Sequence, residues 1–163
     1  MKTKKNSIWG QSFIDIAQSK GYIVKKPTAQ QFKKFINFVI VGKGKNSNPE
    51  AVNLSLKNLK GGKNPKWVWV EIKNHEGQPG WLYGDSHFIV FELLDEYLFV
   101  SRKSLLDHIH SSVDFSLPLV QNTWEAKYKL YQRQGKLDQI TQVKIKSLLD
   151  FKGNYTWKKN EIK

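Results

Sequence analysis

Apolar and polar residues change their period several times along the chain, and each change marks an element. Phe13, Ile14 and Ala17 recur at helical spacing and stop at Gly21, which predicts a short first helix. GYIVKK is extended as far as Pro27; Thr28 and Ala29 then lead through QQFKKF into INFVIVG, whose β-branched and aromatic content predicts a strand from Ile36 to Val41. In AVNLSLKN, Val52, Leu54 and Leu56 alternate with Asn53, Ser55 and Lys57, the period of a half-buried strand. WVWVEIKN alternates in the same way, with Trp67, Trp69, Glu71 and Lys73 on one face and Val68, Val70 and Ile72 on the other.

The segment GQPGWLYGD carries three glycines and a proline and has to turn tightly. HFIVFELLDEYLFVS then predicts a hairpin of two strands joined at Leu94 to Glu96. Ser104, with Asp107 three residues on, resembles a capping box opening a helix through Leu105, Leu106 and Ile109. TWEAKYKLYQR and QITQVKI are expected to pair across QGKLD, before a short helix or turn and a basic tail, WKKNEIK. There is no internal repeat, low-complexity tract or interdomain linker. The sum is one α+β domain over residues 8–160, a mixed central β-sheet flanked by few helices, behind a polar, loose start at residues 1–7.

Composition narrows the class. A hydrophobic fraction of 39% with 13% aromatics is too high for a disordered chain, and no apolar stretch approaches the roughly 18 residues of a membrane span. No basic start runs into an apolar segment, so no secretory signal is expected, and the cytoplasm is the expected address, the host's if the protein is viral. The absence of cysteine excludes disulfides, thiolate metal sites and a cysteine nucleophile.

The net charge of +13 is unevenly placed. Residues 1–66 hold 14 lysines against Asp15 and Glu50, whereas the remainder has 13 basic and 12 acidic residues. Lysines with so few carboxylates among them repel one another, and a polyanion that releases counterions on binding relieves that repulsion. Nucleic acid is therefore the expected partner, with Lys25, Lys26, Lys33, Lys34, Lys43, Lys45, Lys60 and Lys63 as candidate contacts. Genomic bias toward Lys and Asn, or solubility alone, accounts for the same excess. A membrane surface is disfavoured, because no long amphipathic helix carries the lysines on one face. Arg133 and Lys136 sit at a candidate hairpin tip, where the guanidinium can reach a phosphate or pair with Asp138.

Two strand lysines lie beside candidate carboxylate positions, Lys57 in LSLKN and Lys73 in VEIKN. An acid two residues before a lysine shares its strand face, so Glu71 could hold Mg²⁺ while Lys73 or Lys57 neutralises charge developing on an attacked phosphate. The order of elements, with LSLKN, WVEIKN, GWLYGDSHFIVFE containing Glu92, LFVSRKSLL and LYQRQGKLDQIT, resembles a group of phage proteins in the restriction-endonuclease-like, or PD-(D/E)xK, superfamily. The resemblance covers about residues 10–160. It implies that fold, DNA in preference to RNA as the polymer, and Mg²⁺-dependent phosphodiester hydrolysis.

The same pattern expects acids where this chain has Asn37, Ser55 and His87, while Lys57 is kept. Neutral Asn, Ser and His are poor Mg²⁺ ligands. Three accounts stay open: a nuclease fold that binds without hydrolysing, a site rebuilt from Glu71 and Lys73 with Glu50 or Asp85, or inactivating substitutions. A degenerate fold of this kind could also dock, without catalysis, on a host protein or nucleoprotein complex. Asp15 is either a first-helix site acid or a solvated carboxylate.

The remaining motifs are weaker. His108 and His110 point to different helix faces and make a poor metal pair, and Asn74 and His75 lack a second histidine and acid at nuclease spacing. No G-x-S-x-G elbow or G-x-x-x-x-G-K-[ST] loop is present. Trp67, Trp69, Trp81 and Tyr83 either fill a core and cover a sheet edge or stack on unpaired bases.

Overall fold

A computed structural model describes residues 9–42 and 50–161. The polar start expected over residues 1–7, and the loop with Lys43 and Lys45, lie outside the described residues. The elements in chain order are α1 (Gln11–Ser19), β1 (Ile23–Lys25), α2 (Ala29–Lys33), β2 (Phe38–Val41), β3 (Ala51–Lys57) and β4 (Trp67–Lys73). They continue with a 3-10 turn at Trp81–Tyr83, β5 (Phe88–Glu92), β6 (Glu96–Ser101), α3 (Arg102–Ser112), β7 (Gln139–Lys144), α4 (Ile145–Leu149) and β8 (Tyr155–Lys158).

The fold is α+β, with a mixed sheet of order β1-β2-β3-β5-β6-β8 and a separate β4-β7 ribbon. β3 and β5 run parallel, while the other neighbours in the large sheet are antiparallel. A parallel pair needs a crossover, and here β4 and the GWLYG turn supply it.

Strand alternation sorts the side chains into two cores. On one face, Phe38, Ile40, Leu54, Leu56, Val90, Tyr97, Phe99 and Trp157 pack against Phe13, Ile16 and Ala17 of α1. The Phe13 ring stacks on Trp157 with centroids 5.6 Å apart and meets Tyr97 edge-on at 5.3 Å. On the other face, Ile89, Phe91, Leu98 and Val100 pack under Val70 and Ile72 of β4, Val143 of β7, Trp81 and Leu82 of the turn, and Leu105 and Ile109 of α3.

Several expectations change. The N-cap of α3 is Ser101, whose hydroxyl accepts the Ser104 backbone N–H, so the helix starts three residues before the expected box. β7 pairs with β4; the TWEAKYKLYQR segment joins β7 by isolated bridges at Lys127 and Tyr131 and by side-chain hydrogen bonds from Thr141 Oγ1 to the Ala126 carbonyl and from the Lys144 N–H to the Tyr128 hydroxyl. The expected basic tail begins within a strand: Tyr155–Lys158 adds an edge strand to β6, burying Trp157 in the α1 core. Thr28 and Gln31 form a capping box that starts α2.

Gly80 holds the crossover turn against β4. Its N–H donates to the Ile72 carbonyl at 2.8 Å, and an added Cβ would lie 2.7 Å from the Glu71 carbonyl oxygen and 2.8 Å from Glu71 Cγ. Gly62 has open space around the same position. Gly80→Ala is expected to destabilise the protein by about 1–3 kcal/mol, and Gly62→Ala to stay within about 0.5 kcal/mol of wild type. Denaturant melts check this; equal midpoints for the two variants would contradict the close approach.

Candidate functional site

On the sheet face beneath β4, β3 presents Asn53, Ser55 and Lys57, in register with the apolar Ile89 and Phe91 of β5. Two of the three side chains at the positions where acids are expected, Asn37 and His87, grip β3 itself. The Leu56 N–H donates to Asn37 Oδ1 at 2.8 Å, and Asn37 Nδ2 donates to the Leu56 carbonyl at 3.2 Å, so the amide extends the β2 ladder beyond the strand. From the β5 side, the Asn53 N–H donates to His87 Nδ1 at 2.9 Å. An aspartate at position 37 would have no hydrogen to give Leu56, which explains why a neutral amide suits that position. Ser55 is buried between them, and its hydroxyl has no hydrogen-bond partner among the described residues.

Lys57 is half-buried, with Nζ over the Trp81 ring at 4.5 Å from its centroid. Burial pushes its ammonium down to about 8, and the nearby Glu71 carboxylate partly opposes the fall. Glu71 Oε1 in turn accepts the Trp81 backbone N–H at 3.3 Å. Lys57 and Glu71, far apart in sequence and on separate sheets, therefore meet through the GWLYG turn.

Lys57 also lines a cavity of about 510 Å³ between the end of β3 and the start of β4. Trp9, Trp67, Trp69 and Trp81 line it together with Leu56, Phe91 and Glu92, and Asn58, Leu59, Lys60 and Pro65 line it from the β3-β4 loop. Trp81 is buried, Trp67 and Trp69 are half-buried, and Trp9 is 50% exposed. Glu92 is committed elsewhere: its carboxylate accepts from Lys159 Nζ at 3.0 Å and from the Leu59 N–H at 3.4 Å.

Lys73 does not join this group. A bulge inserts Ile72, so that Glu71 faces Ile140 and Lys73 faces Gln139, and the spacing of two no longer guarantees a shared environment. Lys73 instead lines a second, open cleft of about 700 Å³ with Lys34, Tyr83, Phe115 and Gln139. Among the described residues no three His, Cys, Asp or Glu side chains converge to hold a metal. Glu71 is the carboxylate whose charge acts on Lys57, and one of its oxygens already takes a backbone N–H, while Glu92 on the cavity wall is paired with Lys159. This donor set does not fit Mg²⁺, which demands octahedral oxygen ligation.

The other candidates fall as follows. Lys25, Lys26, Lys33, Lys34, Lys60, Lys63 and Lys136 are exposed. Arg133 pairs through Nε with the buried Asp138, which also accepts the Arg133 N–H, while the arginine side chain stays 44% exposed. Asp15 is exposed and accepts from Gln11 in α1. His108 hydrogen-bonds to Tyr128 and His110 to Tyr83, each at 3.0 Å, so the two rings serve separate aromatic contacts. The feature that sequence reasoning missed is Asn58, Leu59 and Pro65 as cavity wall; the two glycines and proline of LKGGKNPK marked only a loop. No family model, curated protein or solved structure matches the chain, and among the described residues no helix is long and apolar enough to cross a membrane.

Two terms oppose each other at Lys57. The contact with Trp81 is worth about 0.5–2 kcal/mol, whereas a fall from 10.5 to about 8 corresponds to about 3 kcal/mol against the folded state below pH 8. Because the folded pKa lies below the unfolded one, the unfolded chain binds more protons between these values, and stability rises as pH climbs from about 8 to 10.5. Lys57→Met is therefore expected to raise the melting temperature near neutral pH, with the gain shrinking through that window. A variant less stable than wild type by the same amount at every pH would contradict the burial cost.

Proposed function

We propose that the chain is a nucleic-acid-binding protein, with DNA preferred over RNA, in which a restriction-endonuclease-like core of phage origin serves as a binding platform in the host cytoplasm and does not hydrolyse its target. The observation that carries this reading is the charge distribution, 14 lysines against two carboxylates in residues 1–66. Lys25, Lys26, Lys33, Lys34, Lys60 and Lys63 are exposed and, among the described residues, engaged in no ion pair. They are available to phosphates without first breaking an ion pair with another described residue.

Neutral residues at 37, 55 and 87 remove the anionic oxygens that a Mg²⁺ site would need, while Lys57 and the exposed lysines are unaffected by that loss. Binding without cleavage is the chemistry left to such a surface. If cleavage did occur, Mg²⁺ would have to be held through Glu71, beside Lys57.

A second reading, docking on a host protein, is favoured by Trp124 and Leu137, which are 70% and 62% exposed. Salt separates the two. Each phosphate neutralised adds about 0.9 to the slope of log affinity against log salt, whereas an apolar interface responds weakly.

The test is titration of a short DNA duplex between low and moderate salt, with plasmid nicking in Mg²⁺ or Mn²⁺ alongside. We expect a steep salt dependence, a slope that falls by about 1 for each of Lys25 and Lys26 replaced by alanine, and no nicking. A flat salt response, or nicking abolished by Glu71→Ala, would overturn the reading.

A further inference from the structure

We infer that the cavity between β3 and β4 is a pocket for an unpaired nucleobase, so that the protein prefers single-stranded or locally opened nucleic acid to intact duplex. The inference rests on the nucleic-acid reading above and adds what the polymer must present. The volume of about 510 Å³ lies within the roughly 300–1,000 Å³ of small-ligand sites. It suits a planar ring; a duplex keeps its bases stacked and paired inside and has none to offer.

The lining is chemically mixed in the way a nucleotide requires. Trp67 and Trp69 stand on the same face of β4, and each is braced by an aromatic neighbour, Trp67 edge-on to Tyr128 at 5.7 Å and Trp69 against Tyr131 at 6.0 Å. Bracing fixes the indoles before a ligand arrives, which lowers the entropy lost on stacking. Trp9 is held in the same manner, stacked on Phe38 at 5.3 Å, while half of its surface is open.

Charge selects the ligand class. The β3-β4 loop, residues 58–66, carries Lys60, Lys63 and Lys66 and no carboxylate. Glu92, one acid on the cavity wall, is neutralised by Lys159. Lys57 and Lys60 thus leave the cavity positive, and Asn58 offers an amide able both to donate to and to accept from a base edge. A ring joined to an anion satisfies this surface better than an uncharged aromatic compound, and bases in a strand supply both at once.

The experiment compares an oligothymidylate of about 16 nucleotides with the same strand annealed to oligoadenylate, at one salt concentration. Intrinsic tryptophan fluorescence and anisotropy of the labelled strand are both read, for wild type, Trp69→Ala and Trp69→Phe. The inference predicts tighter binding of the single strand with tryptophan quenching, a loss of about tenfold or more for Trp69→Ala on the single strand only, and partial recovery in Trp69→Phe. Should Trp69→Ala prove unfolded in a thermal melt, Trp69→Phe with quenching in the wild type carries the test. Equal affinity for strand and duplex with no quenching would overturn the pocket while leaving electrostatic binding standing. Failure of both polymers to bind at low salt would overturn the parent reading as well.

Discussion

An ammonium group on a largely apolar sheet face is the constraint around which this molecule is arranged. β5 and β6 present Ile89, Phe91, Leu98 and Val100 to the second layer, and β4, α3 and the GWLYG turn close over them. β3 presents Asn53, Ser55 and Lys57 to the same side. An apolar layer cannot seal a charged amine without paying its desolvation. Trp81 covers one side of Lys57 with a ring face, and beyond it the layers part into the tryptophan-lined cavity.

The neutral residues beside β3 follow from the same strand. Asn37 and His87 reach its backbone from opposite neighbours, one by a paired amide and the other by a ring nitrogen. Each satisfies groups that the ends of β2 and β5 would leave unpaired; for the part-buried Leu56 groups that loss costs about 1–3 kcal/mol. Two of the three positions where the proposed resemblance expects acids, 37 and 87, are thereby taken up in holding β3, and Lys57 remains as a positive group in a partly apolar setting. Under the proposed function, such a surface grips its target and does not cleave it.

Much of this architecture was legible in local pattern. Alternation located β3 and β4, the Phe13–Ala17 spacing located α1, and the turn at Leu94–Glu96 located the β5-β6 hairpin. What was illegible depends on partners distant in the chain. β7 alternates as a strand but gives no sign that β4, some seventy residues earlier, is its partner, and YTWK is too short for period alone to separate an edge strand from a tail. The site divides in the same way. Lys57 and Glu71 were each visible as candidates, but their meeting depends on Gly80 letting the turn approach β4. Lys73 parts from Glu71 because of a bulge that the tripeptide does not announce.

Ultraviolet cross-linking of a bound oligothymidylate, followed by mass spectrometry of the proteolysed adduct, locates the polymer on the surface without any substitution. Thymine attached to peptides carrying Trp67 or Trp69, or to the loop with Lys60, Lys63 and Lys66, is the expected result. Adducts confined to peptides carrying the exposed Trp124 or Leu137, with the β3-β4 cavity untouched, would contradict the assignment of that cavity as the place where nucleic acid is held.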